Sequence, residues 1–394
     1  MGSDLNKHNN FVRLFFYLVL IEIVIGGSGR MIEFGSLSFK MVLFVFAILI
    51  TFFNIRKLKL DKNILLLECF FIFLTLFSFA IGAFNNSKVE NILEDIKPLI
   101  FILIINFFII SIDSIKTITK TVNIIKYFSV FMAIFYIVIV LMLFFGMLNF
   151  EVFYEEQNEN SEVMFRNEYM FFYKGFLYLG ISFFFLILSD SFRDRVLSII
   201  VFAALCLTLT RGFILMSVIV YLFYLFFINK SIFLKILMCI IGISLAIYLL
   251  PLMFDTLGNK AESDIIRIVT LDQVIDDINI FSFFLGHGFG QGVEIRPVHM
   301  EISFLEIFHK QGLFGLFFWM YMLFLNFKYY FKIKSKDYKK IALPFLLSVC
   351  FTFLQSLTNP FVNNPIGISI IMLSIVVLYK LTIFEKRVVI KKLN

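Results

Sequence analysis

Read as apolar and polar positions, the chain is a series of long hydrocarbon runs separated by short charged or Gly/Pro/Asn-rich breaks. About a dozen runs can be drawn, at 11–25, 38–55, 63–84, 98–112, 127–150, 171–188, 196–209, 213–228, 232–250, 312–327, 341–357 and 366–384. Most approach the ~17–25 residues that a helix needs to cross a bilayer. Backbone polar groups in hydrocarbon must be satisfied within the segment, so these runs predict helices and not irregular chain. The pattern therefore predicts an all-α polytopic membrane protein with about 12 transmembrane helices. One stretch breaks the rhythm. Residues 251–311 are neither a span nor a short connection, and they hold His287, His299 and His309. No linker or low-complexity tract divides the chain, so 1–394 reads as a single membrane domain carrying 251–311 as one large loop.

Charge gives the runs a direction. Every second connection is basic: Arg56 to Lys62, Lys116 to Lys126, Arg193 and Arg195, Lys230 and Lys235, Lys328 to Lys340, and the tail from Lys380. The alternate connections are poor in bases and include the acidic segment from Glu151 to Glu168. The positive-inside rule then puts both termini in the cytoplasm and the 251–311 loop on the far face. A formal charge of +7 on its own would suit nucleic acid. In a chain that is 60 % hydrophobic, with a mean hydropathy of +0.94, it marks cytoplasmic loops instead, and no nucleic-acid partner is expected. The 57 phenylalanines read as lipid-facing bulk and nucleotide bias. Cys69, Cys206, Cys239 and Cys350 fall inside apolar runs at no metal-ligand spacing, so they read as packing residues. Lys7 and Arg13 before a run ending at Gly26–Gly29 have the outline of a signal peptide, but the segment reads as an uncleaved first span. No internal repeat is visible, which speaks against a transporter of two related halves.

The candidates for chemistry are few. Arg211 stands in Leu-Thr-Arg-Gly-Phe between two apolar runs, where a guanidinium is costly unless paired or facing a polar cavity. Its planar fork of donors suits phosphate oxygens, and an interfacial or ion-paired arginine is the plainer alternative. In the loop, Ser263 can cap an amphipathic helix from Asp264 to about Ile278. This helix carries Arg267, either as an ion-pair partner of Asp264 or Asp95 or as a phosphate contact. Gly286-His287-Gly288-Phe289-Gly290-Gln291-Gly292 is a turn whose N–H groups could cradle an anion, although it is no dinucleotide fingerprint. After Pro297, His299, Ser303, Glu306 and Lys310 fall on one helical stripe among Ile, Phe, Leu and Met. His299 is the candidate general base, and Glu301 and Glu306 are its orienting partners or the base themselves. Asp95 or Lys97 could join the site from the outer connection before Pro98, whereas Glu22 and Glu68 read as structural. No nucleotide-binding loop or metal-ligand cluster is expected, and no cofactor.

Thr-Arg-Gly after a span, a long outer loop with an arginine helix and a Gly-x-Gly-x-Gly turn, then a His…Glu segment running into Gly312-Leu313-Phe314-Gly315 form one order. It resembles the O-antigen polymerase (Wzy) and O-antigen ligase (WaaL) superfamily of bacterial inner-membrane glycosyltransferases. The topological likeness covers nearly the whole chain, and the motifs cover Thr210 to Gly212 and Asp264 to Gly315. The resemblance implies a GT-C-like helical fold that joins glycans carried on undecaprenyl diphosphate, on the periplasmic side, by inversion and without a metal. By the same resemblance Arg211 and Arg267 would hold the diphosphate, with Arg296 a further candidate, and His299 would deprotonate the acceptor hydroxyl. It also implies a lipid-linked oligosaccharide donor and acceptor reached from the membrane, and a possible chain-length regulator protein as partner. Ligases of the family often carry a tryptophan shortly after the loop arginine. Here Arg267 is followed by Ile-Val-Thr-Leu, which turns the expectation towards a repeat-unit polymerase, with the ligase as its sibling. A lipid-linked oligosaccharide flippase is the alternative of a different class. It should carry charge along a central path within the spans and needs no sixty-residue outer loop.

Overall fold

The computed structural model of the chain describes residues 2–27, 33–34, 37–158, 162–228, 231 and 261–393. The run expected at 232–250 and the start of the large loop, 251–260, lie outside the described residues.

Apolar runs become helices throughout. Helix α1 (Gly2–Ile25) leads through a small hairpin, β1 (Glu33–Phe34) with β2 (Leu37–Ser38), into α2 (Phe39–Phe53), α3 (Lys62–Phe84) and α4 (Val89–Leu99). A 3-10 turn, Ile100–Leu103, joins α4 to α5 (Ile104–Ser111), after which come α6 (Ile115–Phe144) and α7 (Phe150–Asn158). A second hairpin, β3 (Val163–Phe165) with β4 (Phe171–Tyr173), pairs Val163 with Tyr173 and Phe165 with Phe171. Helices α8 (Leu177–Ile187), α9 (Phe192–Leu207) and α10 (Arg211–Ile228) follow. Beyond residue 260 lie α11 (Ala261–Asp276), α12 (Ile280–Leu285), α13 (Ser303–Lys332), α14 (Lys336–Gln355) and α15 (Pro365–Leu393). Apart from the two hairpins, the described regular structure is helical.

Among the described residues, three helices are long and apolar enough to cross a membrane, judged by length and composition: Lys62–Phe84, Ile115–Phe144 and Pro365–Val388. Phe39–Phe53, Lys174–Ile187 and Arg211–Phe226 are apolar but shorter. Helix length and composition alone thus bear out an all-α membrane protein, but not the full dozen crossings expected from the sequence. The most apolar stretch of α15 is 78 % buried against 39 % for α3 and α6, which makes α15 the inner post of the bundle. Helix α6 begins well before its apolar run. Ser114 caps it by accepting from the Thr117 N–H, and Lys126 inside the helix pairs with Asp194 at 2.7 Å.

Two backbone breaks position the functional residues. Helix α13 is interrupted at Gly312 (φ 62°, ψ −158°), so its first part belongs to the large loop and its second to the bundle. A Cβ at Gly312 would lie 2.4 Å from the Phe284 carbonyl, because α12 packs into the break. Between α9 and α10, Leu209 adopts φ 49°, a left-handed conformation that is costly for a branched hydrophobic side chain. That turn sets Arg211 at the head of α10.

Candidate active site

The site is assembled around a clamp of backbone contacts. Gly288 and Gly82 meet so closely that a Cβ on Gly288 would come 2.1 Å from the Gly82 nitrogen. The N–H groups of His287, Gly288, Phe289 and Gly290 are taken up around this contact. His287 donates to the His309 carbonyl at 2.8 Å, Gly288 to the Lys310 carbonyl at 3.0 Å, and Phe289 to the Ser78 carbonyl at 3.0 Å. Gly290 N–H donates to Asp95 Oδ2 at 2.7 Å. The turn does cradle an anion, but the anion is the protein's own carboxylate.

Asp95, on α4, is thereby held against the first part of α13. Lys310 Nζ donates to Asp95 Oδ1 at 2.6 Å, to Glu306 Oε1 at 2.7 Å and to the Val298 carbonyl. Asn363 Nδ2 donates to the other Glu306 oxygen at 2.7 Å, and Ser303 Oγ donates to Asn363 Oδ1 at 3.0 Å. His299 Nδ1 lies 3.4 Å from Glu306 Oε1 and 3.6 Å from Asp95 Oδ1, and its Nε2 is 3.7 Å from Glu94 Oε2. The side chains of Asp95, Glu306 and Lys310 are only 4 %, 7 % and 4 % exposed, whereas His299 is 56 % exposed. Asp95, His299 and Glu306 offer ligand atoms within 4.8 Å of one another, the only such grouping among the described residues. The Lys310 ammonium already stands between the two carboxylates, however, and supplies the positive charge there.

Electrostatics follow from this packing. Burial pushes the Asp95 carboxyl above its usual range, against the pull of Lys310 and the Gly290 N–H. Burial also acts on Glu306, but Lys310 and His299 overcome it and hold that carboxyl below its usual range. Lys310 loses solvation, yet its two carboxylates keep the ammonium above the ordinary lysine value. The Glu306 carboxylate faces His299 as well as the Lys310 ammonium. The hydrogen bond and charge of Glu306 accordingly raise His299 above the ordinary histidine value, with burial opposing. His309 differs: stacked on His287 with ring centroids 4.5 Å apart, it is pushed down to about 4 by burial first and then by His287 and the Lys310 ammonium.

His299, Glu94, Asp95, Glu306 and Lys310 line a cavity of about 610 Å³. Lys40, Lys97 and Lys174 also line it, with the N-terminal ends of α2 and α15 at Ser38 and at Asn364–Pro365.

No family model matches the chain. It is similar to a protein of Shigella flexneri named O-antigen polymerase, being 30 % identical over 385 residues that cover 95 % of this chain and 96 % of that protein. The chain belongs to the O-antigen polymerase family. The similarity of this O-antigen polymerase family member to the Shigella protein thus extends over nearly the whole of both chains.

Within this family member, the residues nominated from the sequence fall into three places. His299 and Glu306 meet in the cavity. Arg267, Arg296 and Glu301 form a group of their own beside it, with Arg267 Nε 2.8 Å from Glu301 Oε2 and Arg296 Nη2 2.8 Å from Glu301 Oε1. Arg211 lies at the head of α10, where Gly212 leaves room for Gln355 and Thr358. Arg166, from the β3–β4 hairpin, has both Arg211 and Arg267 within electrostatic reach. Burial and those two cations depress its guanidinium, and its Nε is buried without a hydrogen-bond partner. The guanidinium carbon sits 6.0 Å from the Phe172 ring. Of the residues that complete the centre, Lys310 was legible in the polar stripe and Asp95 only faintly. Asn363 gave no signal beyond its place in the Asn/Pro-rich connection 358–365.

Proposed function

We propose that this chain is a membrane glycosyltransferase that polymerises oligosaccharide repeat units carried on undecaprenyl diphosphate, at the periplasmic face of the bacterial inner membrane with both termini in the cytoplasm. The observation that carries the proposal is a cavity of about 610 Å³ in which a solvent-reachable His299 is backed by the buried Glu306–Lys310–Asp95 group. The Shigella relative supports the reaction class.

In this reading the acceptor hydroxyl gives its proton to neutral His299 while its oxygen attacks the anomeric carbon of the donor. The bond from that carbon to the diphosphate breaks with inversion, the electron pair leaves on the diphosphate, and His299 releases its proton to the cavity. Glu306 orients the imidazole and stabilises the imidazolium as it forms. Glu301 has both oxygens engaged by Arg267 and Arg296, so the geometry favours His299 and not Glu301 as the base. Metal independence is supported by Lys310, whose ammonium fills the space between carboxylates that a cation would need. Arg166, with Arg211 and Arg267 in electrostatic reach, and Arg296, which shares Glu301 with Arg267, gather guanidinium charge for the diphosphates that both lipid-linked substrates carry. A chain-length regulator protein is a further proposed partner.

The test is purified protein in liposomes with its undecaprenyl-diphosphate repeat unit, without metal or nucleotide. A ladder of longer lipid-linked glycans is expected, falling roughly 10²–10⁴-fold in rate in His299→Ala. Transfer to lipid A core without a ladder would make the protein the ligase. Movement of intact lipid with no new glycosidic bond would make it a flippase.

A further inference from the structure

The proposed reaction places the two ends of the donor. Its diphosphate lies with the arginines. Its anomeric carbon lies at the hydroxyl that His299 deprotonates, since reacting atoms approach to about 3–3.5 Å before attack. The sugar that joins those ends must therefore rest between the head of α10 and the base. Helix α14 ends at Gln355, and the connection 356–364 runs from there to α15. From Gln355 to Pro365 the chain reads Gln-Ser-Leu-Thr-Asn-Pro-Phe-Val-Asn-Asn-Pro, without a charged residue.

This stretch touches both places. A Cβ on Gly212 would lie 3.2 Å from Gln355 Oε1 and from Thr358 Oγ1, and 3.8 Å from Asn359 Nδ2. The missing side chain thus lets the head of α10, with Arg211, come against three polar tips. Further along, Ser303 Oγ, which bonds Asn363 Oδ1, also lies 3.1 Å from the Asn359 carbonyl oxygen, and Asn363 Nδ2 donates to Glu306 Oε2 at 2.7 Å. Pro360, Asn363 and Asn364 line the cavity that holds His299. Gln355 is the informative member. It is fully buried, yet neither the oxygen nor the nitrogen of its carboxamide has a hydrogen-bond partner. Buried polar groups are nearly always satisfied, so this carboxamide calls for a partner that the chain does not supply. Thr358 and Asn359, beside it at Gly212, are only half-buried.

We infer that Gln355, Thr358 and Asn359 form a carbohydrate subsite that holds the sugar carrying the donor's diphosphate. This rests on the lipid-diphosphate reading above and leaves the diphosphate with the arginines. Sugar hydroxyls both donate and accept, as carboxamides and the threonine hydroxyl do, whereas guanidinium groups only donate. An uncharged amide group between the arginines and the base thus matches a neutral ring between a diphosphate and the carbon under attack. Held there, the ring presents its anomeric carbon to the hydroxyl at His299.

Binding separates the sugar from its anchor without turnover. The probes are undecaprenyl diphosphate and undecaprenyl diphosphate bearing only the sugar attached to it in the repeat unit. Each is titrated against the full-length protein in detergent and read by native mass spectrometry. Wild type should bind the sugar-bearing lipid about tenfold or more tighter, the scale of a few hydrogen bonds. Gln355→Met and the double variant Thr358→Val/Asn359→Ala should cut that preference to about threefold or less. Both should bind undecaprenyl diphosphate as wild type does, which controls for folding, and the double variant carries the test if Gln355→Met does not fold. Arg211→Gln should weaken both lipids and keep the preference. The inference is overturned if wild type shows no preference, if the preference survives in both variants, or if both variants weaken the two lipids alike. Any of those results beside a glycan ladder would leave the polymerase reading standing. The expected preference and its loss without a ladder would keep the sugar subsite and remove the polymerase reading. If neither lipid binds wild type, the diphosphate reading falls and the subsite falls with it.

Discussion

Lys310 and Glu306 stand one helical turn apart on α13 with Nζ 2.7 Å from Oε1, and the same ammonium reaches Asp95, more than two hundred residues earlier in the chain, at 2.6 Å. All three side chains are buried, so removing the cation strands two carboxylates away from water. Lys310→Met should therefore destabilise the protein by about 3–5 kcal/mol, read as a lowered melting temperature in detergent. Adding Asp95→Asn should restore part of the loss. An unchanged melting temperature in the single variant would mean that Lys310 does not balance this pair.

The pH dependence of polymerisation should report His299. Only the neutral imidazole can take a proton, and Glu306 holds this histidine above its ordinary value of 6.5. Activity should therefore rise with pH along an acid limb whose midpoint lies above 6.5. Glu306→Gln removes the principal cause of the shift, so the limb should move to lower pH while the rate falls. A limb that stays in place would detach Glu306 from the base.

Glu301 and Glu306 are separated by their neighbours. Glu301 is 32 % exposed and shared by two arginines, so Glu301→Gln should lower the polymerisation rate within about fivefold, the scale of ~1 kcal/mol for solvent-screened pairs. Glu306→Gln should cost considerably more. The comparison of initial rates at saturating substrate decides it, and the reverse ranking would make Glu301 the residue nearer the chemistry.

The glycine clamp should tolerate almost nothing. Gly288 has φ 87° and no room for a Cβ beside Gly82, so Gly288→Ala should destabilise by well over about 1 kcal/mol. It should also cut activity by displacing the Gly290 N–H from Asp95. A variant with wild-type melting temperature and rate would show that the turn adapts.

The helices were legible because hydrocarbon length and apolar composition speak directly. The helix starts were less so. Ser114 caps α6 before its apolar run begins, since lysine-rich turns are helical too. The site was legible in part. Ser303, Glu306 and Lys310 do share one helix, but α13 starts at Ser303, so His299 reaches Glu306 from the preceding loop and not from the same stripe. Asp95 and Asn363 belong to the centre through contacts 215 and 57 residues apart, and no local pattern encodes contacts of that kind. The glycine turn looked like an open anion nest because its partners on α3, α4 and α13 are distant in sequence.

The cavity is lined by groups of both signs, Lys40, Lys97 and Lys174 together with Glu94, Asp95 and Glu306. A hollow lined in this way selects a guest by where its charge lies as well as by what it is. A molecule whose phosphates come to rest against the carboxylates is expelled, and one whose charge is placed to match is kept. At contact range, dissolved salt screens such discrimination poorly.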